Sequence, residues 1–227
     1  MGEPGAVSFA VETIDDDYPK GAAEIIRAAL VEADSVVLTG GTTAEKIYAE
    51  LARPPVAWER KDVLFSDERC VPPGDPASNF SMAERLLALP ASDRVHRMRG
   101  EESPPHGAEL YAAEIRPLVE RGIDLVLLGM GADAHIGAMY PGSLAVAEGA
   151  KLCVAVDRPD GMNGLTLTPP AVLSGKKVLV LVSGAAKADT VARVIQGNDG
   201  ADACPARVLA QHPDVTFVLD RAAAGRL

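Results

Sequence analysis

The stretch Ile123-Asp124-Leu125-Val126-Leu127-Leu128-Gly129-Met130-Gly131-Ala132-Asp133-Ala134-His135 decides the fold class. Its first half contains an apolar run, Leu125 to Leu128, without the alternation of a half-exposed strand, which is the pattern of a parallel strand covered on both faces. Its second half is a glycine-rich turn. In open α/β sheets ligands bind beyond the carboxyl ends of such strands, where loops turn into helices. The runs Val36-Val37-Leu38 and Val178-Leu179-Val180-Leu181-Val182 have the same character, and each gives way within two residues to a Gly.

Working outward, strands are expected at 35–38, 62–65, 123–128, 177–182 and 215–219, with further ones at 7–11 and 152–156. Apolar residues at helical spacing mark 18–33, 43–51, 105–119 and 185–195. Strands alternating with helices predict an α/β fold, a doubly wound and mainly parallel sheet with helices on both faces, Rossmann-like. A length of 227 residues fits a single domain over 1–227, with no linker or repeat dividing it. Residues 71–78 and 158–164 read as long loops, the kind that carry function in compact domains.

The 22 basic and 32 acidic residues give a net charge of −10, which repels nucleic acid and anionic membranes at long range. An anionic substrate therefore needs a local cluster of positive groups. Met1-Gly2-Glu3-Pro4 has neither the basic start nor the apolar stretch of an export signal, so a cytoplasmic location is expected. The three cysteines, Cys70, Cys153 and Cys204, are widely spaced and suggest neither a disulfide framework nor a zinc site.

Four segments at strand ends carry chemistry. Thr39-Gly40-Gly41-Thr42-Thr43 precedes a helix, where exposed N–H groups and hydroxyls form an anion site, or a glycine turn with a Thr cap and no ligand. Ser66-Asp67-Glu68-Arg69 follows 62–65, and Arg69 offers planar, permanently charged donors. In the opening stretch, His135 stands two residues after Asp133 on a Gly-rich turn, with an ordinary pKa suited to proton transfer near neutrality. Lys187 follows Ser183-Gly184 in a helix's first turn, where the dipole disfavours a cation and an anionic partner would offset it. His96, His106 and His212 lack ligand-spaced partners, so neither a metal nor any other cofactor is expected.

These segments resemble the family of 6-phosphogluconolactonases and, more distantly, glucosamine-6-phosphate deaminases. The matching blocks are Leu38 to Thr42, Ser66 to Arg69 with Ser78-Asn79, Gly129 to His135, Leu165-Thr166-Leu167-Thr168, Ser183 to Lys187 and Pro205-Ala206-Arg207, in family order. The resemblance implies hydrolysis of 6-phosphogluconolactone in the oxidative pentose phosphate route without a metal. His135 would activate water and Asp133 would set the site's geometry and charge. Arg69 would meet substrate, with Asp67 and Asn79 in the same group, while Gly40, Gly41, Thr42 and Lys187 would hold the phosphate. The partner would be a small phosphorylated sugar lactone, and the chain a monomer or homodimer.

Three positions depart from the family pattern. Ala134 stands where the family has Gly, and Gly164 where it has an Arg before the Leu-Thr-Leu-Thr strand, leaving Arg158 as a substitute cation. Ile136 to Pro141 reads closer to the deaminases, but Tyr140 occupies the place of their Glu and Arg69 that of their Tyr. A deaminase or isomerase activity and a non-catalytic sugar-phosphate-binding protein are the alternatives.

Overall fold

The computed structural model describes residues 9–227. In chain order the elements are β1 (Ala10–Ile14), α1 (Tyr18–Glu32), β2 (Ser35–Leu38), α2 (Thr42–Leu51), β3 (Asp62–Phe65), β4 (Asp67–Arg69), α3 (Asn79–Leu87) and α4 (Pro104–Arg121). There follow β5 (Ile123–Gly129), β6 (Cys153–Asp157), β7 (Asn163–Leu167), α5 (Pro169–Val172), β8 (Gly175–Val182), α6 (Ala188–Gln196) and β9 (Val215–Asp220). Six strands form one sheet in the order β1-β9-β8-β5-β2-β3, every pair parallel.

The central strands split their side chains between two cores. Val36, Leu38, Val63, Phe65, Leu125, Leu127 and Leu179 pack with Ile26 of α1, Ile47 of α2 and Leu87 of α3. Val37, Leu64, Val126, Leu128, Val178 and Val180 face the other way, against Tyr111 and Ile115 of α4 and Val191 of α6. Since neighbours along a strand point to opposite faces, a strand buried on both sides must be apolar at every position. That requirement made these strands recognisable. Among the described residues no helix is long and apolar enough to cross a membrane.

The strand expected at 7–11 is observed as Ala10–Ile14; positions 7 and 8 lie outside the described residues. A larger difference is a second sheet, order β4-β7-β6, antiparallel throughout. The strand expected at 152–156 belongs to this sheet. The loop expected at 158–164 is shorter, since Asn163 and Gly164 already belong to β7. β4 escapes periodicity analysis because it reads Asp-Glu-Arg, with its first two side chains buried. The helix expected over 185–195 opens with a 3₁₀ turn, Ala185–Lys187, before α6.

The order reverses between β2 and β5: from β2 the chain moves outward to β3, and from β5 the other way through β8 to β9. β2 and β5 pair only at Val36–Leu125 and Val37–Val126, whereas β5 stays paired with β8 up to Gly129. The carboxyl ends of β2 and β5 thus part and open a crevice. Two buried phenols complete the backbone hydrogen bonding after β2 and at the end of β3: Tyr48 Oη accepts from Thr39 N and donates to Thr39 O, both 3.0 Å. Tyr111 Oη does the same for Phe65, at 2.8 and 3.2 Å.

Candidate active site

The crevice is walled by the segments that follow β2, β3, β5 and β8, with Arg158 and Tyr140 closing one side. Behind β2, Gly41 has φ +93° and leads straight into α2, whose first N–H groups have no partner within the helix. Gly40 is required by packing. A Cβ there would lie 1.9 Å from Asn79 Oδ1. Across the crevice Thr43 Oγ1 and Ser183 Oγ are 3.0 Å apart, tying the loop after β2 to the loop after β8. That second loop is set by Gly184, φ +97°, whose N–H donates to Asp220 Oδ2 at 2.8 Å. Lys187 ends the following 3₁₀ turn and lines the crevice, and burial pushes its amine below the usual lysine range.

The loop after β5 is pinned at several points. Gly131 N donates to His135 O at 2.9 Å, Ala206 N to Ala134 O at 2.9 Å, and Thr190 Oγ1 to Ala132 O at 2.6 Å. Ala134 is wholly buried at φ +67°, in the left-handed region that the family's glycine would enter freely. This strained turn brings Asp133 back onto His135. Asp133 Oδ1 lies 2.6 Å from His135 Nδ1 and accepts from its backbone N at 3.2 Å. Partial burial pushes the Asp133 carboxyl up, but the imidazole and the two bonds outweigh it and hold the carboxyl below its usual range. With Nδ1 engaged, Nε2 is the ring nitrogen left for a ligand in the crevice.

In the segment after β3 the charged residues divide by role. Glu68, 2% exposed, accepts from Arg69 N, Asn79 N, Phe80 N and Ser78 Oγ at 2.7–2.9 Å, so it caps the start of α3 rather than facing a ligand. Burial still raises its carboxyl above the usual range. Asp67 lines the crevice and is held by Ser66 Oγ at 2.7 Å and Asn79 Nδ2 at 3.2 Å. Arg69 Nη1 donates to Ala77 O at 2.5 Å, while its Nε is buried without a protein partner.

Arg158 reaches the crevice from the turn between β6 and β7. Its side chain is 10% exposed, Nε and Nη2 donate to Asp160 Oδ2 at 3.1 and 3.0 Å, and Nη1 is 4.0 Å from Asp67 Oδ2. Burial lowers its pKa, but the bond to Asp160 and the surrounding anions more than reverse the effect. Gly164 makes room for it, because a Cβ there would lie 3.0 Å from Arg158 Cδ and 3.1 Å from Glu68 O.

Of the residues singled out in the sequence, Gly40, Gly41, Thr42, Asp67, Arg69, His135, Arg158 and Lys187 line this one crevice. Asp133 does not line it but contacts His135, which does. Asn79 lies beneath Asp67 and lines a neighbouring cleft instead. Thr43, Ser183 and Tyr140 also line the crevice and were missed as site residues. The first two sit inside the segments 39–43 and 183–187, and Tyr140 stands where the deaminases have a Glu. Among the described residues no three His, Cys, Asp or Glu side chains converge as a metal site.

The profile described as glucosamine-6-phosphate isomerases/6-phosphogluconolactonase matches residues 15–218. A 6-phosphogluconolactonase of Mycobacterium bovis is 34% identical over 212 residues, covering 85% of this chain and 84% of its own. The crystal structure of a 6-phosphogluconolactonase from Thermotoga maritima superposes with a TM-score of 0.82 at 27% identity, over 94% of this chain and 99% of that one. A monomeric glucosamine-6-phosphate deaminase superposes with a TM-score of 0.84 at 23% identity, covering 96% and 100%, a likeness of fold alone. Matched from Asp15 to Val218, across all four crevice loops, the chain belongs to the glucosamine-6-phosphate isomerase/6-phosphogluconolactonase family.

Proposed function

We propose that this chain hydrolyses 6-phospho-D-glucono-1,5-lactone to 6-phosphogluconate, the lactone-opening step of the oxidative pentose phosphate route, in the cytoplasm. The observation that carries the mechanism is the Asp133–His135 pair, at 2.6 Å, on the same rim as an anion loop and Lys187. His135 Nε2 takes a proton from water as the oxygen attacks the lactone carbonyl. The carbonyl oxygen becomes an oxyanion, the ring C–O bond then breaks, and the imidazolium returns its proton to the leaving hydroxyl. Asp133 stabilises the imidazolium in between.

The N–H groups at the start of α2, the Thr42 and Thr43 hydroxyls and Lys187 suit the dianionic phosphate, because a helix N-terminus and an ammonium both favour negative charge. Arg69 and Arg158 line the same crevice and offer further cationic donors to the substrate oxygens. All these groups come from one chain, so monomer and homodimer would be equally competent.

A general base contributes about 10²–10⁴-fold, which is the loss expected in kcat for His135→Ala with little change in KM. Lys187→Ala should instead raise KM. The decisive assay follows lactone loss against its spontaneous hydrolysis, with and without a chelator, alongside ammonia release from glucosamine 6-phosphate. Enhanced lactone decay that survives chelation supports the reading. Ammonia release without lactone hydrolysis would replace it with deaminase chemistry, and tight sugar-phosphate binding without turnover would leave a binding protein.

A further inference from the structure

The Asp133 bond alone does not fix the His135 ring. With the ring tethered at Cβ, one hydrogen bond at Nδ1 limits its rotation but leaves a residual swing, which would shift Nε2 within the crevice. Two further contacts restrict that swing. The ring rests against the backbone of Gly131, where a Cβ would lie 2.1 Å from Nδ1 and 2.2 Å from Cε1. The Tyr140 ring packs on it with centroids 4.8 Å apart and planes inclined at 54°.

Tyr140 is itself held in place by local structure. Ile136 bridges back to Met130 at the end of β5 and also to Met139, and Ser143 N donates to Tyr140 O at 3.0 Å. The segment 136–140 therefore folds over the loop that carries His135 and lays its last side chain on the imidazole. A centroid separation of 4.8 Å falls in the range where aromatic rings attract. An aromatic face also favours a cation above it, and so the imidazolium that forms when His135 accepts a proton.

We infer that Tyr140 is a positioning residue for the reaction: its ring holds the His135 imidazole in the orientation that aims Nε2 at the attacking water. This rests on the lactonase reading above. Catalysis by an oriented base is steep in geometry, and a misplacement of about 1 Å costs on the order of 10²-fold.

The test compares wild type with Tyr140→Phe and Tyr140→Leu. Tyr140 is partly exposed, so both variants should fold, which their circular dichroism spectra would check. Phe keeps the ring and should retain kcat within about two-fold, while Leu should lose about 10-fold or more in kcat with KM little changed. A Leu variant with wild-type kcat, or a Phe variant as impaired as Leu, overturns the inference.

A second measurement is independent of turnover. The His135 ring-proton resonances in wild type and Tyr140→Phe should be displaced by the neighbouring aromatic ring, and in Tyr140→Leu should return toward their unperturbed positions. Unmoved resonances in the Leu variant overturn the inference even if lactonase activity is present. If wild type fails to hydrolyse the lactone while the resonances behave as expected, the functional reading fails and only the contact between Tyr140 and His135 stands.

Discussion

Asp133 Oδ1 lies 2.6 Å from His135 Nδ1 and 3.2 Å from His135 N, so one carboxylate oxygen holds both the ring and the chain segment that carries it. The carboxylate's charge does a job that its shape alone would not, since it favours the imidazolium formed as water is deprotonated. Asp133→Asn preserves size and can still accept from the backbone N–H, but it removes the charge. We expect kcat to fall by about 10²-fold, a share of the ~10²–10⁴-fold that a general base supplies. KM should stay nearly constant, and steady-state kinetics that show a rise in KM alone would contradict the role.

Arg158 and Gly164 form a steric pair. The arginine stem crosses the space a side chain at 164 would fill, 3.0 Å from where its Cβ would stand. Gly164→Ala cannot relieve this by moving backbone, because Glu68 O closes the same space at 3.1 Å. The arginine must give by a few tenths of an ångström, and since a hydrogen bond to a charged group is worth about 1.5–3 kcal/mol when whole, weakening it should raise substrate KM by up to about 10-fold. Arg158→Ala should give at least as large a loss, and the double variant should be no worse than Arg158→Ala alone. Additive losses in that cycle would mean that the two positions act separately.

These two pairs differ in how far the sequence discloses them. The Asp133–His135 pair follows a strand that must be apolar throughout because both its faces are covered, and the turn that follows can be read directly. Arg158 and Gly164 lie on either side of a hairpin turn, and nothing in the local pattern says that one leans over the other. Glu68 is a sharper case. It sits in a run of three charged residues, yet it is buried because its partners, Ser78, Asn79 and Phe80, return to it ten to twelve residues later. Burial by satisfied hydrogen bonds leaves no periodic trace, so β4 had no signature, and nothing showed that the strand expected at 152–156 would leave the parallel sheet for a small antiparallel one. Tyr140 is hidden for the same reason, since its contact with His135 depends on how 136–140 folds back.

Ala134 carries a cost that its packing partly offsets. A non-glycine residue in the left-handed region costs roughly 1–2 kcal/mol, whereas burying its methyl contributes about 0.8 kcal/mol and replacing Ala by Gly loosens the unfolded chain by about 0.5–1 kcal/mol. These terms nearly cancel. Ala134→Gly should therefore leave stability within about 1 kcal/mol, a shift of about 2–4 °C in Tm. Ala134→Val adds a β-branched side chain at φ +67° in a site with no exposed surface, and should lower Tm far more. A tolerated valine would mean that the turn can relax out of the left-handed region, and lactonase activity in that variant would then report whether His135 moves with it.

At the opposite end of the sheet, His96 offers a pH test that is separate from catalysis. Its Nδ1 is 2.9 Å from Glu114 Oε1 and its Nε2 3.3 Å from Asp62 Oδ1, with the side chain 13% exposed. Burial pushes the imidazole down, but the bonds to Glu114 and Asp62 prevail and hold it above its usual range. Asp62 also receives Arg121 Nη2 at 2.8 Å and Arg94 Nη1 at 3.3 Å, so the cluster is a network of mixed charge. A histidine with a raised folded pKa binds its proton more tightly in the native state than in the unfolded one. Its stabilisation is therefore complete below the unfolded value, about 6.5, and fades as pH rises through the folded value. His96→Gln keeps hydrogen-bonding capacity and loses the charge. The Tm deficit of this variant should be largest near pH 6 and shrink toward pH 9, with kcat unchanged at any one pH because the site lies on the far rim. A deficit that grows with pH would show that His96 is neutral in the folded chain and that its two carboxylates are held by the arginines alone.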